Sequence, residues 1–562
     1  MKTAFGKKIE IFIVLLAVVA LFVFLKFYDQ ASPSASMNSH ISRNHALRAA
    51  RHYLEEQGFN LNGYVETVLF AEDSDAVLYL QRTLGMNRFN TLVQDLPLRY
   101  WKVRFFKELQ YEEFKVFVDP QGRIIAFNHY IPEDAKGARL KEDRALQIAE
   151  EFVQKQEDVD FSNFDLINAA SKQRERRIDY IFTWKASTPS LEDAKLMMTV
   201  AVHGNVVDGY EQSITVPQKF AEMYEGESAK GELLARLSGL LTVFLSLAAL
   251  VVFLTHHKYK TIPWKGALFL AMAMVTAKVL EEINAIPNIR SAYSADSPLY
   301  TFWGGWIFDT IESTIWTGVV TFLFAVAGWA VGREVFKVKR VDQITGRHGW
   351  LSPDFSRALF MGYLLASISL GYMTVFYLTG QRYFDVWSPV PSSYSNMLGT
   401  WLPFLEPITN AFRSSVSEEL IYRFFAIALM IKYLRSRALG LFIPALIWGF
   451  AHSDYSVLPF YTRGIELTVD GLLSGYFFIR YGLITVVVAH YVFDAVIMGM
   501  PLLQSSNLYL FWSGMAGVGV MAVPILLSLA RSMRGRPIHQ EIDHGHPSEE
   551  RSLVTSSIES RK

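Results

Sequence analysis

The sequence predicts a polytopic all-α membrane protein of about ten transmembrane helices, with an α+β extracytoplasmic domain inserted after the first of them. Three observations predict it. The 562 residues are 51% hydrophobic, too apolar for an ordinary soluble chain of this length. Residues 9–27, apolar apart from Glu10 and Lys26, are enough to span a bilayer core. Between that run and a longer series of apolar segments lies a charged, turn-punctuated stretch in which apolar residues alternate.

Charge and cysteine content narrow the function. Lys plus Arg and Asp plus Glu number 54 each, so no concentrated basic surface is offered to phosphate and nucleic acid is not an expected partner. With no cysteine, disulfides, thiolate zinc sites and thiol nucleophiles are excluded.

Residues 1–30 read as an uncleaved transmembrane anchor; a cleaved signal peptide is the competing reading, whose apolar region should be shorter and end in a small-residue cleavage site. Lys2, Lys7 and Lys8 ahead of it put the N-terminus in the cytoplasm. Residues 38–230 read as a folded extracytoplasmic domain of two repeats. A helix around Ala46, Ala50, Tyr53 and Leu54 recurs around Ala145, Ala149, Phe152 and Val153. Strands follow each: 100–106, 114–118 and 123–127 around the turn Asp119-Pro120-Gln121-Gly122, then 178–184, 196–202 and 206–216 around His203-Gly204-Asn205. This spacing resembles the PepSY-like modules found outside bacterial membranes, which implies a bacterial cytoplasmic membrane and an outer domain able to bind a peptide or protein partner.

Further apolar segments lie near 233–255, 264–285, 305–331, 357–380, 403–430, 439–455, 463–480, 482–500 and 508–530, ten with the anchor. Residues 231–400 carry transmembrane helices 2–5, 401–532 the core, and 533–562 a polar, disordered cytoplasmic tail whose His539, His544 and His546 read as solvated. Lysines and arginines concentrate in alternate loops, notably 256–260, 333–357, 432–437, Arg480 and 531–536. That bias places both termini inside and residues 38–230 outside.

An ionisable residue at membrane depth needs a partner or a task. The densest set is in Ser417-Glu418-Glu419-Leu420-Ile421-Tyr422-Arg423. Glu419 and Arg423 stand four apart in the favourable order for a pair on one helix face, whereas Glu418, about 100° round the helix, is left free to act as a base. His452 ends the apolar segment that contains Trp448, and His490 and Asp494 lie one turn apart on another. Any one histidine alone reads equally well as a helix–helix hydrogen bond.

The order Glu-Glu-x-x-x-Arg, aromatic-x-x-x-His, His-x-x-x-Asp resembles the CPBP family of intramembrane proteases, which includes the type II CAAX prenyl endopeptidases. The match covers about residues 400 to 500 and takes in Asp470-Gly471-Leu472-Leu473-Ser474-Gly475 and Arg480-Tyr481-Gly482. It implies an intramembrane endopeptidase with a membrane protein or lipidated peptide as substrate. By motif, Glu418 with His452 would activate water, Glu419 and Arg423 would orient Glu418, and His490 with Asp494 would stabilise the oxyanion.

Two positions depart from the family pattern. Trp448 stands for the usual Phe and is expected to keep a packing role. Asp494 stands for Asn, and an ionised Asp cannot donate to an oxyanion; it is expected instead to accept from His490 and fix its tautomer. No cofactor is expected, with zinc on Glu418, His452, His490 and Asp494 as the alternative, although no His-Glu-x-x-His helix is present. Lys278 with Glu281 or Glu282, and Asp309 with Glu312, read as structural pairs near the interface; Glu466 and Asp470 could line the cavity. A non-catalytic membrane scaffold or sensor is the rival class of function.

Overall fold

The computed structural model describes residues 2–31, 40–156, 159–256, 262–336, 353–387 and 396–533. The basic segments around Lys258, Lys260, Lys337, Lys339, Arg340 and Arg347, and the tail with His539, His544 and His546, lie outside the described residues. Helix α1 (Lys2–Ala31) leads into a sheet domain: α2 (Arg43–Glu56), β1 (Val65–Glu72), α3 (Ser74–Leu92), β2 (Arg99–Phe106), β3 (Glu113–Val118), β4 (Ile124–Tyr130), α4 (Glu142–Gln154), β5 (Phe164–Gln173), β6 (Ile178–Ala186), β7 (Lys195–His203) and β8 (Val206–Thr215).

The eight strands form one antiparallel sheet in the order β1-β2-β3-β4-β8-β7-β6-β5, two four-stranded meanders joined by β4 and β8. Each meander carries one helix of the repeat. In α2, Ser42 caps the first turn by accepting from the His45 amide, and Ala46, Ala50, Tyr53 and Leu54 repeat at helical spacing to face Trp101, Val103, Phe114 and Phe127. In α4, Glu142 and Asp143 favour the helix N-terminus, and Ala145, Ala149 and Val153 pack on Phe182, Trp184 and Val200. At the joint, His129 sits between Asp208 (2.8 Å) and Glu112 (2.9 Å) and stacks on Phe114.

The membrane domain comprises α1, α5 (Gln218–His256), α6 (Trp264–Asn284), the short α7 (Ile286–Ser291), α8 (Leu299–Val335), α9 (Pro353–Tyr383), α10 (Leu405–Glu418), a π-helical turn (Glu419–Ala426), α11 (Ile427–Leu434), α12 (Arg437–Phe450), α13 (Thr462–Tyr481), α14 (Leu483–Leu503) and α15 (Leu508–Met533). Six of the described helices are long and apolar enough to cross a membrane, so this is an integral membrane protein. The other four of the ten expected segments are α6, α10 with α11, α12 and α13. All but α12 carry several charges, among them Lys278, Glu281, Glu418, Glu419, Arg463, Glu466 and Asp470, and α12 is short.

Helix α1 is an integral part of this domain. It runs along α9, where a Cβ on Gly371 would stand 2.6 Å from Ala20, so only glycine lets the two backbones approach this closely. The sheet domain docks on one end of the membrane domain. Arg104 donates to the Tyr293 carbonyl, Leu109 N–H to the Ala295 carbonyl (2.8 Å) and Leu299 N–H to Glu108 (2.8 Å). Met397, Leu398, Leu502 and Leu510 join the apolar core under α2.

Candidate active site

The site is built on the break between α10 and the π-helical turn. Adjacent residues of a helix lie about 100° apart, and Glu418 and Glu419 both have helical dihedrals, so the two carboxylates point to different partners. Glu418 reaches towards α12, where the Trp448 indole N–H donates to its Oε2. Glu419, 1% exposed, meets His490 of α14 instead, with Oε1 2.9 Å from Nδ1.

The two imidazoles turn their Nε2 atoms towards Glu418 Oε2, His452 at 3.9 Å and His490 at 3.8 Å. Their other nitrogens are committed. His452 Nδ1 lies 2.8 Å from the Trp448 carbonyl, which can only accept, so the proton belongs on Nδ1. The Glu419 carboxylate imposes the same tautomer on His490. With that tautomer His452 Nε2 offers a lone pair to a carboxylate that also has only lone pairs, whereas His490 Nε2 lies between the carboxylates of Glu418 and Asp494. These gaps are too long for direct hydrogen bonds, and acceptors facing acceptors call for a donor between them.

Asp494 adds a further acceptor. Its Oδ2 lies 3.4 Å from His490 Nε2 and accepts from Ser414 Oγ at 2.6 Å. This corrects the expectation that Asp494 fixes the His490 tautomer: Glu419 holds Nδ1, and Asp494 stands on the side of the nitrogen that faces Glu418. Of the pair expected to orient Glu418, Glu419 turns to His490 and Arg423 reaches Trp448, the residue that donates to Glu418. Arg423 Nη1 lies 3.2 Å from Glu419 Oε1, and the guanidinium stacks at 3.8 Å on the Trp448 ring. The contact is an ion pair, since among the described residues neither Arg423 Nη atom has a hydrogen-bond partner.

These groups line a cavity of about 280 Å³. Asp470 also lines it, accepting from Ser369 of α9, while Glu466 is buried and pairs with Arg463 at 2.5 Å. Outside the cavity, Lys278 pairs with Glu282, and Glu281 takes both ends of Arg413 from α10, at 2.7 and 3.1 Å. Asp309 and Glu312 are exposed on α8. Among the described residues no group of three or more His, Asp or Glu side chains is arranged to hold a metal ion.

Sequence reasoning missed three contributors. Ser414 was legible in principle, because it precedes Glu418 by four residues and so shares its helix face. The donor role of Trp448 was hidden behind its equivalence to Phe as a packing residue. Gly231, on α5 far outside the motif region, gave no signal: a Cβ there would stand 2.2 Å from the Ser453 carbonyl, next to His452, so α5 fits against that loop only with glycine.

Residues 400–496 match the family described as Type II CAAX prenyl endopeptidase Rce1-like, so the chain carries a domain of this family across the whole polar cluster. The chain is also similar to the sporulation-killing factor biosynthesis protein SkfC of Bacillus subtilis (strain 168), with 24% identity over 500 residues, 87% of this chain and 95% of that protein. No solved structure matches it. The family match supports intramembrane protease activity in a membrane-embedded protein acting on peptide substrates.

Proposed function

We propose that the chain is an intramembrane endopeptidase that hydrolyses a peptide bond of a membrane-associated or lipidated substrate with a water activated by Glu418. One observation carries this reading: two acceptor atoms, Glu418 Oε2 and His452 Nε2, converge with His490 Nε2, and the other nitrogen of each imidazole is already committed. A water fits that electronic requirement, giving one proton to Glu418 and the other to an imidazole.

The step balances without any further reactant. Glu418 takes a proton from the water as its oxygen bonds to the scissile carbonyl carbon. The resulting oxyanion needs donors. His490 can supply one only from Nε2, with Nδ1–H kept on Glu419, so it acts as an imidazolium. As the C–N bond breaks, Glu418 returns its proton to the leaving amine. His452 orients the water, Ser414 holds Asp494, and Asp494 aligns His490 from the Nε2 side.

Glu418→Gln keeps the size of the side chain and removes the base. Membrane peptides from cells expressing wild type and Glu418→Gln, compared by mass spectrometry, should differ in fragments that only wild type produces. Identical profiles, with both proteins inserted to the same level, would favour a non-catalytic membrane scaffold or sensor.

A further inference from the structure

The cavity approaches one end of the membrane domain. Its deep wall is Arg423, Ser474 and Ala489, and beyond it Ile427, Phe477, Phe478 and Val486 are buried in a packed apolar core. At the other end it is lined by Ala31, the last residue of α1, by Tyr455, Ser456 and Val457 in the α12–α13 connection, and by Arg463 in the first turn of α13. That is the end on which the sheet domain sits: Ala31 accepts from Gln381 at the end of α9, and Leu502 of α14 belongs to the core under α2.

Elements outside the membrane brace this mouth. Leu78 of α3 packs on Trp387 and Leu458, which exchange backbone hydrogen bonds of 2.9 and 2.8 Å. Arg82 of α3 pairs with Asp385 at 2.6 Å. From α5, Glu227 accepts from the Phe460 amide (3.3 Å) and Gly231 meets Ser453. The opposite end carries Arg333, Lys432, Arg435, Arg437 and Arg480, the bias of a cytoplasmic face.

We infer that the site is served from the sheet-domain side: its substrate is a peptide segment outside the cytoplasm, which enters past Tyr455 and Ser456 between α3 and α5, and not a cytoplasmic prenylated C-terminus. That the entering peptide is cleaved rests on the endopeptidase reading; the route of access does not. The depth agrees with a polar peptide path, since about 13 residues of α14 separate His490 from Leu503, or ~20 Å of helix, and the cavity is lined from Ala489 only as far as Met498.

The chain has no cysteine, so single-cysteine variants report position cleanly. Ser456→Cys at the mouth, Ile497→Cys within the cavity and Tyr433→Cys at the opposite end, where Tyr433 is exposed, would be treated with a membrane-impermeant maleimide in intact cells and after lysis. Ser456→Cys and Ile497→Cys should label in intact cells, and Tyr433→Cys only after lysis. Should one cavity variant fail to insert, the other still reports. Cavity cysteines that label only after lysis, or only with a lipid-soluble maleimide, would overturn the route. Labelling in intact cells alongside peptide profiles that are the same for wild type and Glu418→Gln would keep the route and sink the endopeptidase reading.

Discussion

The Trp448 indole donates its N–H to Oε2 of Glu418, the same oxygen that the Nε2 atoms of both His452 and His490 face. A phenylalanine at this position would fill the space without that bond. A hydrogen bond to a charged group contributes about 1.5–3 kcal/mol, here spent on fixing one carboxylate oxygen. Trp448→Phe should therefore keep the protein inserted while kcat falls roughly tenfold or more and KM changes little. An unchanged kcat would reduce Trp448 to a packing residue.

The Glu419–Arg423 pair is buried, and Glu419 also holds His490. Removing one partner strands the other at a cost of about 3–5 kcal/mol. Arg423→Ala and Glu419→Gln should each lower the thermal transition of the detergent-purified protein as well as its cleavage rate, unlike Glu418→Gln, which should lose cleavage alone. A wild-type transition in Arg423→Ala would mean that the stacking and the pair contribute nothing.

Asp494 separates aligned acid–base chemistry from metal chemistry. Asn can still accept from Ser414 and can donate towards an oxyanion, so Asp494→Asn should retain substantial activity, while Asp494→Ala should lose about tenfold to a hundredfold. Zinc would reverse this, because neutral Asn is a poor ligand and both substitutions should shed metal and activity together. Cleavage and metal content measured on the same samples decide it: stoichiometric zinc in wild type, lost with activity in Asp494→Asn, would replace the glutamate mechanism with a metalloprotease one.

Gly231 lies 187 residues before Glu418 in the chain yet bears on the loop that carries His452. A methyl group at 231 must push Ser453 away. Displacing a reacting group by about 1 Å can cost ~10²-fold, so Gly231→Ala should lower cleavage strongly while the sheet domain keeps its fold. Full activity would show that the loop yields without moving His452.

The sheet domain should respond to pH through His129. Burial alone would lower its pKa, but the Asp208 and Glu112 carboxylates outweigh burial and raise it; Asp208 is in turn held below its ordinary value, against burial, by His129 and His203. The His129 contribution to stability is complete below its unfolded pKa and fades as pH rises through the raised folded one. That of Asp208 is complete above its unfolded pKa and fades as pH falls through the lowered one. His129→Gln should therefore destabilise the full-length protein most under mildly acidic conditions, and thermal scans should show the gap to wild type closing as pH rises. A gap independent of pH would show that His129 contributes packing alone.

Local regularities were enough to make the polar set visible. Charges at membrane depth stand out, helical spacing puts Glu419 with Arg423 and His490 with Asp494, and the Ala46 and Ala145 helices announce a repeated unit. The same regularities passed over β1, α3 and β5; β5 is an edge strand exposed along nearly its whole length, so it has no buried face to impose alternation. Hydropathy also could not tell which charged helices count as spans, because their charges are neutralised by neighbours distant in sequence, such as Glu281 by Arg413. Pairing across the site was decided only in three dimensions. Which carboxylate meets which imidazole depends on the rotation of one helix against another, and here that rotation sends Glu418 to Trp448 and Glu419 to His490. Side-chain spacing along a single helix carries no information about that angle; packing against α12 and α14 sets it.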